Sequence, residues 1–311
     1  MSYRTRHPES PFDLANQELY LRWRERKLTE HPRRLEEILI EVGDPRRLGD
    51  AERDALRESC RRANMAIYVG RTGGDPDTEI PIAIGRALGL ERLDHNWLGD
   101  DSGLTSLRVA ADGVRSDFIP YTNRPIRWHT DGYYNLPEQR IHGLLLHCVQ
   151  SAAEGGDNAL LDHEIAYLLL RDENPEYIQA LMAPRAMTIP PRSEEGGEAR
   201  REETGPVFSI TEEGELHMRF TERKRNIQWL DDPVLKAALH RLGEILNGDN
   251  PFVFRARLEP GMGLIGNNVL HDRSGFTDTP QRKRLLYRGR YYDRIQGVGF
   301  RQTLGSGWTQ S

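Results

Sequence analysis

Cysteine is nearly absent from this chain: Cys60 and Cys148 are the only two among 311 residues. They sit too far apart for a disulfide framework or a zinc site, and they suit a reducing compartment, so a cytoplasmic location is the expectation. Long apolar runs are missing too. The first eleven residues, Met1 to Pro11, are polar and charged, which predicts neither a signal peptide nor a membrane-spanning helix. No Pro/Gly/Ser-rich stretch divides the chain, and a single domain over 1–311 is expected. Nor does charge of one sign dominate. The balance of 43 Lys and Arg against 48 Asp and Glu, net -5, gives no general case for nucleic-acid binding. Local basic clusters are left to bind small anions, so the expected partner is a small molecule rather than a nucleic acid or a membrane.

What is present is a change of pattern along the chain. Residues Phe12 to Lys27 mix Leu, Tyr and Trp with charges at helical spacing. This predicts an amphipathic arm that packs on the body or, in a homo-oligomer, on a second subunit. Leu35 to Val42 reads as a strand, Gly49 to Asn64 as a helix, Ala66 to Val69 as a short buried strand and Thr78 to Leu88 as a helix. The glycines of Gly70 to Gly74 lack a following Lys-Ser/Thr and are not a phosphate loop. From Leu107 onward short strands separated by turns predominate: Leu107–Ala110, Trp128–Asp131, His142–Val149, Ala159–Asp162, Ala186–Ile189, Val207–Ile210, Leu216–Phe220, Phe252–Leu258, Gly263–Asn267 and Lys283–Tyr292. Helices over Glu164–Arg171, Pro175–Met182 and Pro233–Asn247 interrupt them. The fold class is therefore mainly β with flanking helices, a helix-rich part over 1–106 and an antiparallel closed or sandwiched core over 107–311. Pro190 to Gly205 is charged, without apolar periodicity, and reads as a mobile loop.

The chemistry is carried by His129-Thr130-Asp131 and, far downstream, His271. Two imidazoles and one carboxylate can cap one face of an octahedral metal and leave the opposite positions open, the ligand set of non-haem Fe(II) oxygenases. In an extended segment residues i and i+2 point the same way, so His129 and Asp131 would aim at one point. After the pair come Leu144-Leu145-Leu146-His147-Cys148 and Gly155-Gly156-Asp157-Asn158. After His271 comes the basic run Arg282-Lys283-Arg284-Leu285-Leu286-Tyr287-Arg288. His142, His147, His163, His217 and His240 have no partner at ligand spacing and receive no metal role.

That order resembles the taurine dioxygenase-like (TauD/TfdA) branch of the Fe(II)/2-oxoglutarate dioxygenases, over about residues 115 to 293, with some likeness to gamma-butyrobetaine hydroxylase. The resemblance implies a double-stranded β-helix (jelly-roll) core, Fe(II) held by His129, Asp131 and His271, 2-oxoglutarate as cosubstrate, and O2. It also implies hydroxylation of a small anionic or zwitterionic substrate with release of succinate and CO2. A carboxylate of 2-oxoglutarate is best met by the planar fork of an Arg. Arg284 and Arg288 share a strand face by their even separation, which alone does not choose between them. By resemblance Arg284 is the 2-oxoglutarate residue and Arg288 meets an anionic group of the substrate. Where the family often has Thr after Gly-Gly-Asp, Asn158 stands here as a second contact to 2-oxoglutarate. Tyr121, Trp128 and Tyr133, with Tyr134, bracket the metal pair. They are candidates for lining the substrate pocket, and Tyr121 falls where the hydroxylase places an aromatic for a trimethylammonium group. Two other readings remain open: a cupin-like metal enzyme that does not use 2-oxoglutarate, and a non-catalytic binding protein on the same fold.

Overall fold

The computed structural model describes residues 7, 9–94, 103–110, 118–194, 197–223, 225 and 227–304, with the backbone alone described for 192–194 and 197–199. Most of the Met1–Pro11 stretch, Glu195 and Gly196 of the Pro190–Gly205 segment, and the first residues of the family-like region before Phe118 lie outside these.

Two sheets face each other. The larger has six strands in the order Leu39–Val42, Met65–Gly70, Met262–Gly266, Gly143–Gln150, Leu285–Tyr291, Thr105–Leu107. Its first pair is parallel and the remaining neighbours are antiparallel. The smaller has four antiparallel strands in the order Phe254–Ala256, Asn158–Leu161, Leu270–Arg273, Ile126–His129. Their inner faces share one apolar cluster, with Ile67, Leu144, Leu146, Leu264 and Leu286 from the larger sheet against Leu160, Phe254 and Ala256 from the smaller. This is the jelly roll.

Both sheets are covered outside as well, which explains why Leu144-Leu145-Leu146 is apolar without alternation. Leu145, Ile265 and Tyr68 point outward against Leu56, Cys60, Ile84 and Leu88 of the helices Asp50–Ala63 and Glu79–Ala87 and the residue after the latter. On the other side Trp128, Ala159, Leu161 and Leu270 pack against the helices Gln17–Glu30, His163–Glu173, Pro175–Leu181 and Pro233–Asn247. The arm expected at Phe12–Lys27 is thus a helix seated on the body through Leu19, Tyr20 and Trp23. It is pinned there by Lys27, whose buried ammonium bridges Asp162 at 2.7 Å and Glu164 at 2.6 Å.

Several segments differ from the expectation. Leu35–Ile38 is a 3-10 turn and the strand begins only at Leu39. Leu39–Val42 and Met65–Gly70, from the helix-rich first part, belong to the main sheet. Pro190–Gly205 is not a plain loop: Arg192–Glu194 pairs with Gly197–Arg200, and Glu203–Gly205 pairs back onto Met187–Ile189. Its charges gave no apolar pattern because the pairing is by backbone, which any polar side chain permits. Among the described residues no helix is long and apolar enough to cross a membrane.

Candidate metal centre

His129 ends the strand Ile126–His129 and stands directly opposite His271 in the antiparallel register. Alternation sends the neighbours Trp128 and Leu270 outward into the helical layer, so both imidazoles face inward. Their ring centroids are 4.2 Å apart. Asp131 lies beyond the regular strand, at the start of a turn. It still reaches the same point, because Thr130 stays extended: its N–H donates to the Phe220 carbonyl at 3.0 Å and its hydroxyl accepts from the Phe220 N–H at 3.1 Å. Potential ligand atoms of His129, Asp131 and His271 all lie within 4.8 Å of one another. Among the described residues no other group of three His, Cys, Asp or Glu converges this way.

The donor set suits a divalent metal. Nδ1 of His129 is 2.9 Å from the Arg127 carbonyl and Nδ1 of His271 is 3.0 Å from the Val269 carbonyl. A carbonyl only accepts, so each Nδ1 carries the proton and each Nε2 presents a lone pair. Burial, then the neighbouring His271, pushes the His129 imidazolium down to about 3, so this ring is neutral at physiological pH. Burial alone would raise the Asp131 carboxyl. The Arg288 guanidinium above all, with Arg290 adding to it, instead holds it well below the usual carboxylate range. Asp131 Oδ1 accepts from Arg288 Nη1 at 3.1 Å, while the buried Oδ2 has no donor among the described residues. An ionised, buried oxygen without a partner is costly unless a cation takes it.

Asn268 was not singled out by the sequence reading, and it sets this geometry. Its Oδ1 accepts from the Asp131 N–H at 2.8 Å, and its Nδ2 donates to the carbonyls of Asp131 at 2.9 Å and Ile141 at 2.8 Å. Its φ of 50° lies in the left-handed region, which Asn tolerates better than other side chains. The signal available was an Asn-Asn pair three residues before a candidate ligand. Replacing Asn268 by Gly keeps that backbone freedom and removes all three hydrogen bonds, so metal affinity should fall by about 10–100-fold, as for other groups that orient a ligand. Calorimetric titration with Mn(II) reads this, and unchanged affinity would remove Asn268 from the site.

The two arginines do not share one regular strand: Arg288 lies within Leu285–Tyr291, and Arg284 stands before it, across a register shift between Leu285 and Leu286. Arg284 precedes the strand Leu285–Tyr291 and shares a narrow crevice with Ser151, Ala152, Gly155, Gly156, Arg257, Leu258 and Leu286. It is buried, and among the described residues its guanidinium makes no hydrogen bond or ion pair; it lies over the Phe276 ring at 5.2 Å. Burial pulls its pKa down to about 10, so it remains a cation at neutral pH. Gly155 and Gly156 take φ values of 70° and 80°, and a Cβ on Gly155 would meet the Gly275 carbonyl oxygen at 2.3 Å. The paired glycines therefore allow the turn that closes the crevice. Arg273, also missed from sequence, likewise lies over the Phe276 ring at 4.9 Å and donates to the carbonyls of Pro120, Thr122 and Arg124.

The remaining candidates divide. Asn158 is buried beside the site, but its Nδ2 already donates to the Asp272 carbonyl at 2.5 Å. Trp128 is 2% exposed and on the outer face, so it lines the helical core rather than a pocket near His129. Tyr121 is packed in the inner apolar cluster with Leu107 and Leu286. Tyr133 and Tyr134 follow Gly132 and sit edge to face, 5.1 Å between centroids. The Tyr133 hydroxyl accepts from Arg223 and that of Tyr134 from Arg290. Arg290 is further paired with Asp94.

A jelly roll that brings two imidazoles and a carboxylate to one point has the donor set of a non-haem iron site. The profile of the family described as taurine catabolism dioxygenase TauD, TfdA family matches residues 26–290, and the chain belongs to that family. A uridine-5'-phosphate dioxygenase of Amycolatopsis sp is 31% identical over 173 residues, 53% of this chain and 60% of that protein. A uridine-5'-phosphate dioxygenase of Streptomyces sp is 34% identical over 191 residues, 59% of this chain and 68% of that protein. The match thus spans less than two thirds of the first relative's length. Among solved structures, the non-heme iron oxygenase OrfP in complex with Fe, succinate and (3S)-hydroxy-L-Arg superposes with a TM-score of 0.58 at 18% identity, covering 79% of this chain and 82% of that one. An asparagine oxygenase in complex with Fe(II), 2S,3S-3-hydroxyasparagine and succinate gives 0.53 at 14%, covering 91% and 96%. At such identities the likeness is one of fold.

Proposed function

We propose that His129, Asp131 and His271 hold Fe(II), that Arg284 binds the distal carboxylate of 2-oxoglutarate, and that the enzyme hydroxylates a small anionic molecule with release of succinate and CO2. The observation that carries this is Arg284, a buried cation that makes no side-chain hydrogen bond or ion pair among the described residues and lies beside the Gly155-Gly156 crevice. Leaving a guanidinium buried and unpaired is expensive, and a ligand carboxylate relieves it with two parallel hydrogen bonds. A cupin-like enzyme working without 2-oxoglutarate would have no use for that cation. When bound, iron and 2-oxoglutarate supply the oxidising chemistry. The chain's own part is to keep the His129 imidazole neutral, to turn both imidazoles by backbone carbonyls, to keep Asp131 ionised, and to leave the opposite side of the ligand set open.

For the prime substrate, the packing of Trp128 and Tyr121 into apolar clusters removes two of the aromatic faces a quaternary amine would need. Arg288, one N–H from Asp131, favours an anion. The two relatives are named for uridine 5'-phosphate, which makes a nucleoside 5'-monophosphate the first candidate. UMP and other small phosphate, sulfate or carboxylate compounds should stimulate 2-oxoglutarate consumption, and uridine should not, because it would leave the cation unpaired. Succinate release across such a panel checks this. A neutral or purely cationic compound as best substrate, with every anion inert, would overturn the anionic reading.

A further inference from the structure

We infer that Arg288 is a cation shared between the metal carboxylate and the substrate's anion, so that metal and anion bind cooperatively through it; this rests on the function proposed above. Arg288 is 9% exposed and reaches across from the larger sheet to Asp131 Oδ1 at 3.1 Å. Of its five N–H donors, the buried Nε has no hydrogen-bond partner among the described residues. Arg290, two residues on along the same face, is occupied by the Tyr134 hydroxyl and Asp94, which leaves Arg288 as the cation at Asp131 with donors to spare.

The consequence follows from charge. A divalent ion held by Asp131 shares its carboxylate with a guanidinium of like sign, which opposes metal binding. An anion engaging the remaining donors of Arg288 offsets that opposition, and by linkage the metal must favour the anion by the same factor. The carboxylate does not depend on Arg288 for its place, because Asn268 holds the Asp131 backbone from both sides. For the metal, the charge of Arg288 therefore matters more than its hydrogen bond. This gives a sign that a merely orienting role does not: losing an orienting partner would weaken metal binding by about 10–100-fold, whereas losing an opposing charge strengthens it.

The test is calorimetric titration of the full chain with Co(II), with UMP, uridine or methylphosphonate present, correcting for Co(II) bound by the additive itself. Arg288→Gln keeps an amide donor for Oδ1 and deletes the charge, and should bind Co(II) about tenfold more tightly than the wild type without any anion. UMP should tighten Co(II) binding by the wild type by about the same factor, uridine should leave it unchanged, and UMP should add nothing in the Gln variant. Arg288→Lys should retain the UMP effect. Equal or weaker Co(II) binding by Arg288→Gln, or a UMP effect of the same size in both proteins, overturns the inference. If the Gln variant gains but only methylphosphonate, not UMP, acts on the wild type, the nucleotide reading fails and the shared-cation inference stands.

Discussion

Asp131→Ala should abolish iron-dependent oxidation of 2-oxoglutarate while leaving the fold in place. The loss should exceed the about 100-fold that removing an outer orienting group typically costs, since here a ligand itself is gone. The fold should survive because the one side-chain hydrogen bond of Asp131 among the described residues is from Arg288, and the segment is held through its backbone by Asn268 and through Thr130 by Phe220. Removing a buried carboxylate does strand Arg288, so a modest fall in melting temperature is expected, with circular dichroism unchanged at room temperature. His271→Ala should behave alike. Full 2-oxoglutarate turnover by either variant, measured as succinate, would place the metal elsewhere.

The second large effect concerns Arg284. Arg284→Ala should raise the Michaelis constant for 2-oxoglutarate steeply, as truncating one member of a buried hydrogen-bonded charge pair costs about 2–5 kcal/mol. The turnover number at saturating 2-oxoglutarate should fall much less, because the contact is present in ground and transition states alike. Arg284→Lys should recover part of the affinity, having the charge without the fork. Steady-state kinetics with 2-oxoglutarate varied decides the matter. If Arg284→Ala leaves that constant unchanged and Arg288→Ala raises it, the two assignments exchange.

Local signals carried much of this from sequence. The helix Pro233–Asn247 was readable to the residue, because Asp232 accepts from the Leu235 N–H and Pro233 opens the first turn. The core strands were readable as short apolar runs, and the His-x-Asp motif with the later His gave the three converging residues. What sequence could not supply was contact between distant strands. That Arg288 meets Asp131 depends on how two sheets face each other and on a register shift beside Leu285 and Leu286. Arg273 and Asn268 act through hydrogen bonds to backbone atoms, which leave no pattern in side-chain type. Trp128 was within reach of simple alternation, since a residue next to an inward-facing His must face outward in a strand.

The central claim, that this chain couples 2-oxoglutarate and oxygen at an iron held by His129, Asp131 and His271, is tested most directly by the fate of oxygen. Purified protein supplied with Fe(II), 2-oxoglutarate and UMP under 18O2 should release succinate carrying one labelled atom, and the Asp131→Ala protein should release none. Substrate oxidation without labelled succinate, or labelled succinate undiminished in Asp131→Ala, would contradict the account.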